Sequence, residues 1–275
     1  MSKHLLLLLV AGVIACSEVQ TPPEPNAGGG GMGGAGGEAP PACPEMPATW
    51  PMVAVPDSLG GYFCIDSREV TNEQYAAFLA TNASPALHPQ CAGITDFNPK
   101  ALWPPAPERM RYPVVAVTWC QAQAFCLANG KRLCGEEGTG LVREYEDGLV
   151  PGEWQMAGEM YLACSQGGSS SYPYGNELEP GRCNDSTGEA VPADLETTCE
   201  GGYPGIYFLY GNVFEWEGAC NFIKGDNHSQ TCSMRGMYLN GNGCLSTGAP
   251  SINGEGVNDW SHFLGVRCCA DTLPL

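Results

Sequence analysis

Apolar and polar positions alternate along Tyr62-Phe63-Cys64-Ile65-Asp66, the period-two pattern of a β-strand. The period then lengthens. Over Glu69–Leu79, Tyr75, Phe78 and Leu79 fall on one face at helical spacing, and Thr71 stands where a cap would. A second apolar run, Tyr112–Trp119, predicts a strand leading into a helix over Gln121–Asn129, closed by Gly130. The densest stretch is Gly205–Trp216, which sets aromatic and aliphatic side chains around Gly211-Asn212 and one carboxylate, Glu215. Gly and Asn reach left-handed backbone angles closed to most residues, so a tight turn is expected there. Two readings of Glu215 stand side by side. Turn carbonyls beside the carboxylate suit a hard cation such as calcium. Alternatively, Glu215 is only hydrogen-bonded within a buried strand–turn–strand.

The N-terminal stretch follows neither period. Leu5–Ile14 is an unbroken apolar run behind Lys3 and His4, too short to span a bilayer, and predicts a signal peptide over residues 1–15. It ends in Val13-Ile14-Ala15-Cys16, which is similar to the lipobox of bacterial lipoproteins, whose cysteine is acylated and becomes the mature N-terminus. The other reading is plain secretion, with Cys16 an incidental thiol. Residues 17–42 hold Pro22, Pro23, Pro25, Pro40, Pro41 and runs of glycine from Gly28 onward, with almost nothing apolar and bulky. Such a segment cannot bury a core and predicts a tether holding a domain off a membrane surface. Cys43–Leu275, 233 residues, is enough for one large domain.

Charge narrows the partners. The chain has 12 basic and 30 acidic residues, a net charge of −18, and loss of the leader removes Lys3. No basic face can be assembled from that balance, which excludes nucleic acid. Fifteen cysteines predict an oxidising compartment and a disulfide framework. Lipidation of Cys16 would leave fourteen, which can pair completely. A zinc protein is the weaker reading: no Cys-x-x-Cys knuckle occurs, and only His88, His228 and His262 lie beyond the leader.

Gly205–Trp216 also resembles the Gly-x-Tyr-x-x-x-Gly-Asn-Val-Trp-Glu-Trp signature of the formylglycine-generating, or sulfatase-modifying factor, family, with Phe214 in a Trp place. Four further motifs follow the family order. Asp66–Phe78 matches Asp-x-x-Glu-Val-Thr-Asn-x-x-Tyr-x-x-Phe. Pro113–Leu133 matches the segment that ends in Gly-Lys-Arg-Leu, with Phe125-Cys126 in its Tyr-Cys places and Cys134 where Pro is usual. Tyr172-Pro173-Tyr174-Gly175-Asn176 stands for Tyr-Pro-Trp-Gly-Asn. Gly236 and Gly265-Val266-Arg267-Cys268 close the domain. Gly135–Gly158 departs from the family as an insertion rich in Gly and Glu. Lys131 and Arg132 are expected to serve as ion-pair or carbonyl-capping residues.

The resemblance covers 43–271 and implies an α+β fold, a loop-rich, disulfide-stapled variant of the C-type lectin fold. It implies calcium held by the carbonyls of Phe208, Gly211 and Val213 and the carboxylate of Glu215. A second site would involve Asn184 and Asp185, without a clear downstream half; one calcium is expected rather than two. It pairs Cys126 with Cys268 and Cys164 with Cys244. Closeness in sequence adds Cys120 with Cys134, Cys183 with Cys199 and Cys220 with Cys232 as further guesses. The family's oxygen chemistry uses copper(I) on two cysteines. Here the first place falls on Asn240 and only Cys244 is near the second, so copper is not expected. A non-haem iron enzyme would need clustered histidines. Three functions therefore compete: an oxidase converting a sulfatase cysteine to formylglycine, an iron enzyme, and a non-catalytic binding or structural module, which is preferred. Its loops 221–230 and 237–262, with Asn240, Asn242, Asn253, Asn258 and Trp260, would face an extracytoplasmic protein, peptide or glycan. Ser17 after Cys16 mildly favours the outer membrane.

Overall fold

The computed structural model describes residues 39–274 other than 47, 136–142, 145–157, 187, 222–230, 237–242, 246 and 249–260, and only the backbone of 143, 144, 221, 231, 247 and 248. The leader, Cys16, His228, Asn240, and most of the tether and of the expected recognition loops lie outside the described residues.

The alternating run forms β2 (Tyr62–Asp66), paired antiparallel with β1 (Met52–Pro56) through Val53↔Ile65. β11 (Cys268–Asp271) lies on the other side of β2, and β3 (Arg132–Leu133) pairs with β11. Both Cys64 and Ile65 are fully buried although they point to opposite faces, so this four-stranded sheet is covered on both sides.

Helix α1 (Asn72–Ala80) starts three residues later than the pattern predicts. Gln74 N donates to Thr71 Oγ1 at 3.2 Å and Thr71 N donates to Gln74 Oε1 at 3.0 Å, a complete capping box that fixes the start. Glu69 and Val70 therefore precede the helix, and Val70 N donates to Val266 O at 2.8 Å. Helix α2 (Trp119–Ala128) repeats the device with Thr118 and Gln121. The predicted strand before it does not form. Its pairing is a single bridge, Thr71↔Pro113, and Ala116 takes φ 60°; a missing N–H and a left-handed residue both interrupt a ladder. Tyr75 of α1 stacks on Phe125 of α2 at 5.5 Å, within a core that also buries Trp119 and Trp216.

The Gly205–Trp216 stretch ends one hairpin and begins a second sheet. β5 (Glu200–Gly201) pairs with β6 (Tyr203–Tyr207), and the turn leads into β7 (Phe214–Asn221). β7 takes β8 (Thr231–Arg235) antiparallel and β4 (Arg143–Glu144) and β10 (Leu264–Gly265) parallel; β9 (Thr247–Gly248) extends β8. Helix α3 (Glu159–Ser165) is buried along its length.

Seven disulfides join Cys43–Cys64, Cys91–Cys120, Cys126–Cys268, Cys134–Cys269, Cys164–Cys244, Cys183–Cys199 and Cys220–Cys232. The pairing of Cys120 with Cys134 is corrected: Cys120 joins Cys91, and Cys134 joins Cys269. Cys120 opens α2 and Cys134 lies beyond its end, so a helix of roughly 15 Å separates them, whereas a disulfide needs Cα atoms within about 7 Å. Closeness along the chain fails when a helix intervenes.

Candidate functional site

The turn between β6 and β7 is held in an unusual backbone shape. Phe208, Gly211 and Asn212 take φ values of 57°, 84° and 55°. For a bulky residue such as Phe208 this is a sparsely populated conformation that the surroundings must enforce. Gly211 has no alternative, since a Cβ there would meet the Cys183 carbonyl oxygen at 1.9 Å. Gly211 N donates to Gly236 O, and Asn184 grips the turn from the far side. The Asn184 Nδ2 donates to Asn212 Oδ1 at 3.0 Å and to Glu189 O at 2.8 Å, while Asp185 Oδ1 accepts from Gly181 N. These two residues thus hold the loop around the turn, whatever else they bind.

Behind the turn lies a buried charge network. Arg267 Nε donates to Glu215 Oε1 at 2.8 Å, its Nη1 to Asp66 O at 2.9 Å and its Nη2 to Tyr207 O at 2.8 Å. Neither side chain of the Arg267–Glu215 pair reaches solvent. Asp66 pairs with Lys131 and accepts from Cys268 N at 3.2 Å. Asn212 Nδ2 donates to Glu69 at 3.0 and 3.2 Å. Fully buried Asp66, Glu69 and Glu215 thus face only two fully buried cations, Lys131 and Arg267. Burial pushes all three carboxyls up: Glu69 well above its ordinary value, reinforced by the Glu215 charge, and Glu215 up to about 7 against the pull of Arg267. Glu215 Oε2 is buried and accepts no hydrogen bond among the described residues.

That orphaned oxygen is the test of calcium. The carbonyl oxygens of Phe208, Gly211 and Val213 likewise accept no hydrogen bond among the described residues. Hard oxygen donors, an unmatched lone pair and one carboxylate in excess of the buried cations all fit a divalent oxygen-seeking cation. The residues that would hold it are those four.

A separate cleft of ≈ 720 Å³ opens between the 102–106 loop and Phe263, lined also by Asn72, Arg109, Tyr112, Glu189 and His262. His88 lies elsewhere, edge-on to Trp119 at 5.8 Å. Among the described residues one group of His, Cys, Asp and Glu converges, Cys134, Glu159 and Cys269. Its sulfurs are bonded to each other and its carboxylate to Arg132, at 2.6 and 2.8 Å. No histidine cluster suited to iron is present among the described residues.

A family model described as the sulfatase-modifying factor enzyme 1-like domain matches residues 54–272. The chain belongs to the sulfatase-modifying factor family. It is 32% identical over 185 residues to "Inactive C-alpha-formylglycine-generating enzyme 2" of Bos taurus, covering 59% of this chain and 52% of that protein. It is equally 32% identical over 200 residues to "Formylglycine-generating enzyme" of Thermomonospora curvata, covering 56% and 58%. The chain spans about half the length of the curated relatives it matches. Among solved structures, that of CarF superposes with a TM-score of 0.50 at 21% identity, over 78% of this chain and 87% of that one, a likeness of fold.

Within this sulfatase-modifying factor domain, the two residues nearest the family's copper place part company. Asn240 lies outside the described residues. Cys244 is buried, bonded to Cys164, and its carbonyl accepts from Arg235 Nη1 at 2.5 Å. Sequence reasoning placed Glu215 at the turn but missed Arg267 as its partner and Glu69 and Asp66 as buried carboxylates nearby. Only Arg267 carried a signal, as a charge set between Val266 and Cys268; Asp66 and Glu69 stand beside Ser67, Arg68 and Thr71, and nothing local marks them as buried. Lys131 and Arg132 do form ion pairs, with Asp66 and with Glu159 and Asp271.

The raised Glu215 value has a measurable sign. The folded state binds this proton more tightly than the unfolded state, whose carboxyl titrates near the ordinary 4.5. Calcium-free protein should therefore lose stability as pH rises from 4.5 to about 7, and no further through this group above that. The slope is at most about 1.4 kcal/mol per pH unit. Urea unfolding of parent and Glu215→Gln in chelator across this range should show a steeper decline for the parent. Parallel profiles would mean that Glu215 stays ionised throughout.

Proposed function

We propose that this protein is a non-catalytic, calcium-stabilised binding module of the sulfatase-modifying factor family, exported and tethered to a bacterial membrane by lipid on Cys16. The observation that carries the reading is the state of the cysteines. All fourteen from Cys43 onward are in disulfides, and the fifteenth is Cys16, so the domain offers no thiolate pair for copper(I). Asn240 supplies a hard amide oxygen, a poor substitute for a soft thiolate. Overall similarity does not separate the alternatives, since one relative is named inactive and another is named for the enzyme at the same identity. The chemistry of the site supports the non-catalytic reading.

Three measurements bear on this. Copper-loaded protein incubated with a sulfatase-type cysteine peptide should leave the peptide mass unchanged; aldehyde formed faster than with free copper would restore the oxidase. Calcium at a hundredfold excess over its dissociation constant should add about 2.7 kcal/mol of stability. Chelator should lower the melting temperature of the parent and not of Glu215→Ala, and equal responses would remove Glu215 from the site. Cys16→Ser should move the protein from the membrane to the soluble fraction, and an unchanged distribution would end the lipid-anchor reading.

A further inference from the structure

We infer that the cleft between the 102–106 loop and Phe263 binds the carboxyl end of an apolar, proline-tolerant peptide, with the terminal carboxylate on Arg109. The inference rests on the binding-module reading and gives that module its ligand class.

Charge is the first argument. In a chain with 30 acidic and 12 basic residues, an arginine without an anion is uncommon. Arg111, Arg132, Arg182, Arg235 and Arg267 each hold a carboxylate, and Arg68 holds the carbonyls of Ala193 and Leu195 at 2.7 and 3.2 Å. Among the described arginines, Arg109 alone has neither an ion pair nor a hydrogen bond from its guanidinium. It lies 4.6 Å from the centroid of the Tyr112 ring on the cleft wall. Stacking on an aromatic face leaves the guanidinium edge, with its paired N–H groups, to a planar anion.

The walls supply the second argument. Leu102 is 63% exposed and Phe263 40%, and they flank Trp103, Pro104, Pro105 and Pro113 around the cleft. A sugar carries a hydroxyl on nearly every carbon and would leave most of them unpaired against such walls. Proline also offers no N–H, so recognition by an added β-strand is excluded on that side. Apolar peptide side chains suit the surface, and ≈ 720 Å³ is of the size that holds a small ligand or a few residues. A peptide C-terminus meets both demands on one residue, an apolar side chain and a single carboxylate.

The test is calorimetric titration of the full chain with acetylated tripeptides Leu-Pro-Z, where Z is Phe, Leu, Trp or Tyr, each as free acid and as C-terminal amide, and with maltotetraose. At least one acid should bind tenfold or more tightly than its amide. Arg109→Gln should bring acid and amide level without moving the melting temperature, since the side chain is exposed. Phe263→Ser should weaken acid and amide together. Acids and amides of equal affinity, no acid binding at all, or binding of maltotetraose instead would each overturn the inference. None of these peptides carries a cysteine, so failure here leaves the mass assay for catalysis untouched, and aldehyde formation there leaves the cleft to be judged on these titrations.

Discussion

The structure depends on one buried ion pair, Arg267 with Glu215. The guanidinium reaches Glu215 on β7, the Asp66 carbonyl on β2 and the Tyr207 carbonyl on β6, and so ties together two sheets and a hairpin that share few other elements. Removing one partner of such a pair leaves an uncompensated buried charge, at a cost of about 3–5 kcal/mol. The pair also sets the chemistry of its neighbourhood. With Asp66 engaged by Lys131 and Glu69 held only by a neutral amide, the cluster keeps one carboxylate more than it has buried cations. A proton on one of these carboxyls would balance it, so the turn beside Glu215 is a structural joint whose charge depends on pH.

Much of the rest is held covalently. Several strands are two residues long, and irregular chain connects them. Short ladders contribute few hydrogen bonds and little buried area, so closure by disulfides restricts the unfolded chain where regular structure cannot stabilise the folded one. Cys126–Cys268 and Cys134–Cys269 fasten α2 and β3 to adjacent residues of β11, next to Arg267. The same oxidation bears on function. Cys164–Cys244 fastens α3 to the segment after β8, and by doing so removes the thiol nearest the family's copper place. With all fourteen cysteines from Cys43 onward in disulfides, no free thiol remains among the described residues.

A shared fold does not by itself fix an activity. The sulfatase-modifying factor fold supplies a rigid frame, and its functional residues sit at particular positions upon it. In this chain the frame residues, Glu215, Arg267, Asn212 and the glycine at 211, are all in place. The open cleft instead gathers Trp103, Arg109, Tyr112 and Phe263, from loop segments far apart in the sequence.

The sequence by itself determined the elements that depend on near neighbours. The capping residues Thr71 and Thr118, the strand Tyr62–Asp66, the turn at Gly211-Asn212 and the family membership were legible because periodicity, caps and motifs act over a few residues. The tertiary structure alone decided what crosses the chain. It replaced a strand at Tyr112–Trp119 with irregular backbone, since a bridge at Pro113 and a left-handed Ala116 cannot sustain a ladder. It re-paired Cys120 and Cys134, because a helix holds apart two cysteines fourteen positions from each other. It also brought Glu215 and Arg267 together across 52 positions, Asn212 and Glu69 across 143, and Arg267 and Asp66 across 201, into one buried cluster. Local pattern carries no information about such distances; burial without water, which forces each charge to find a partner, is what selects them.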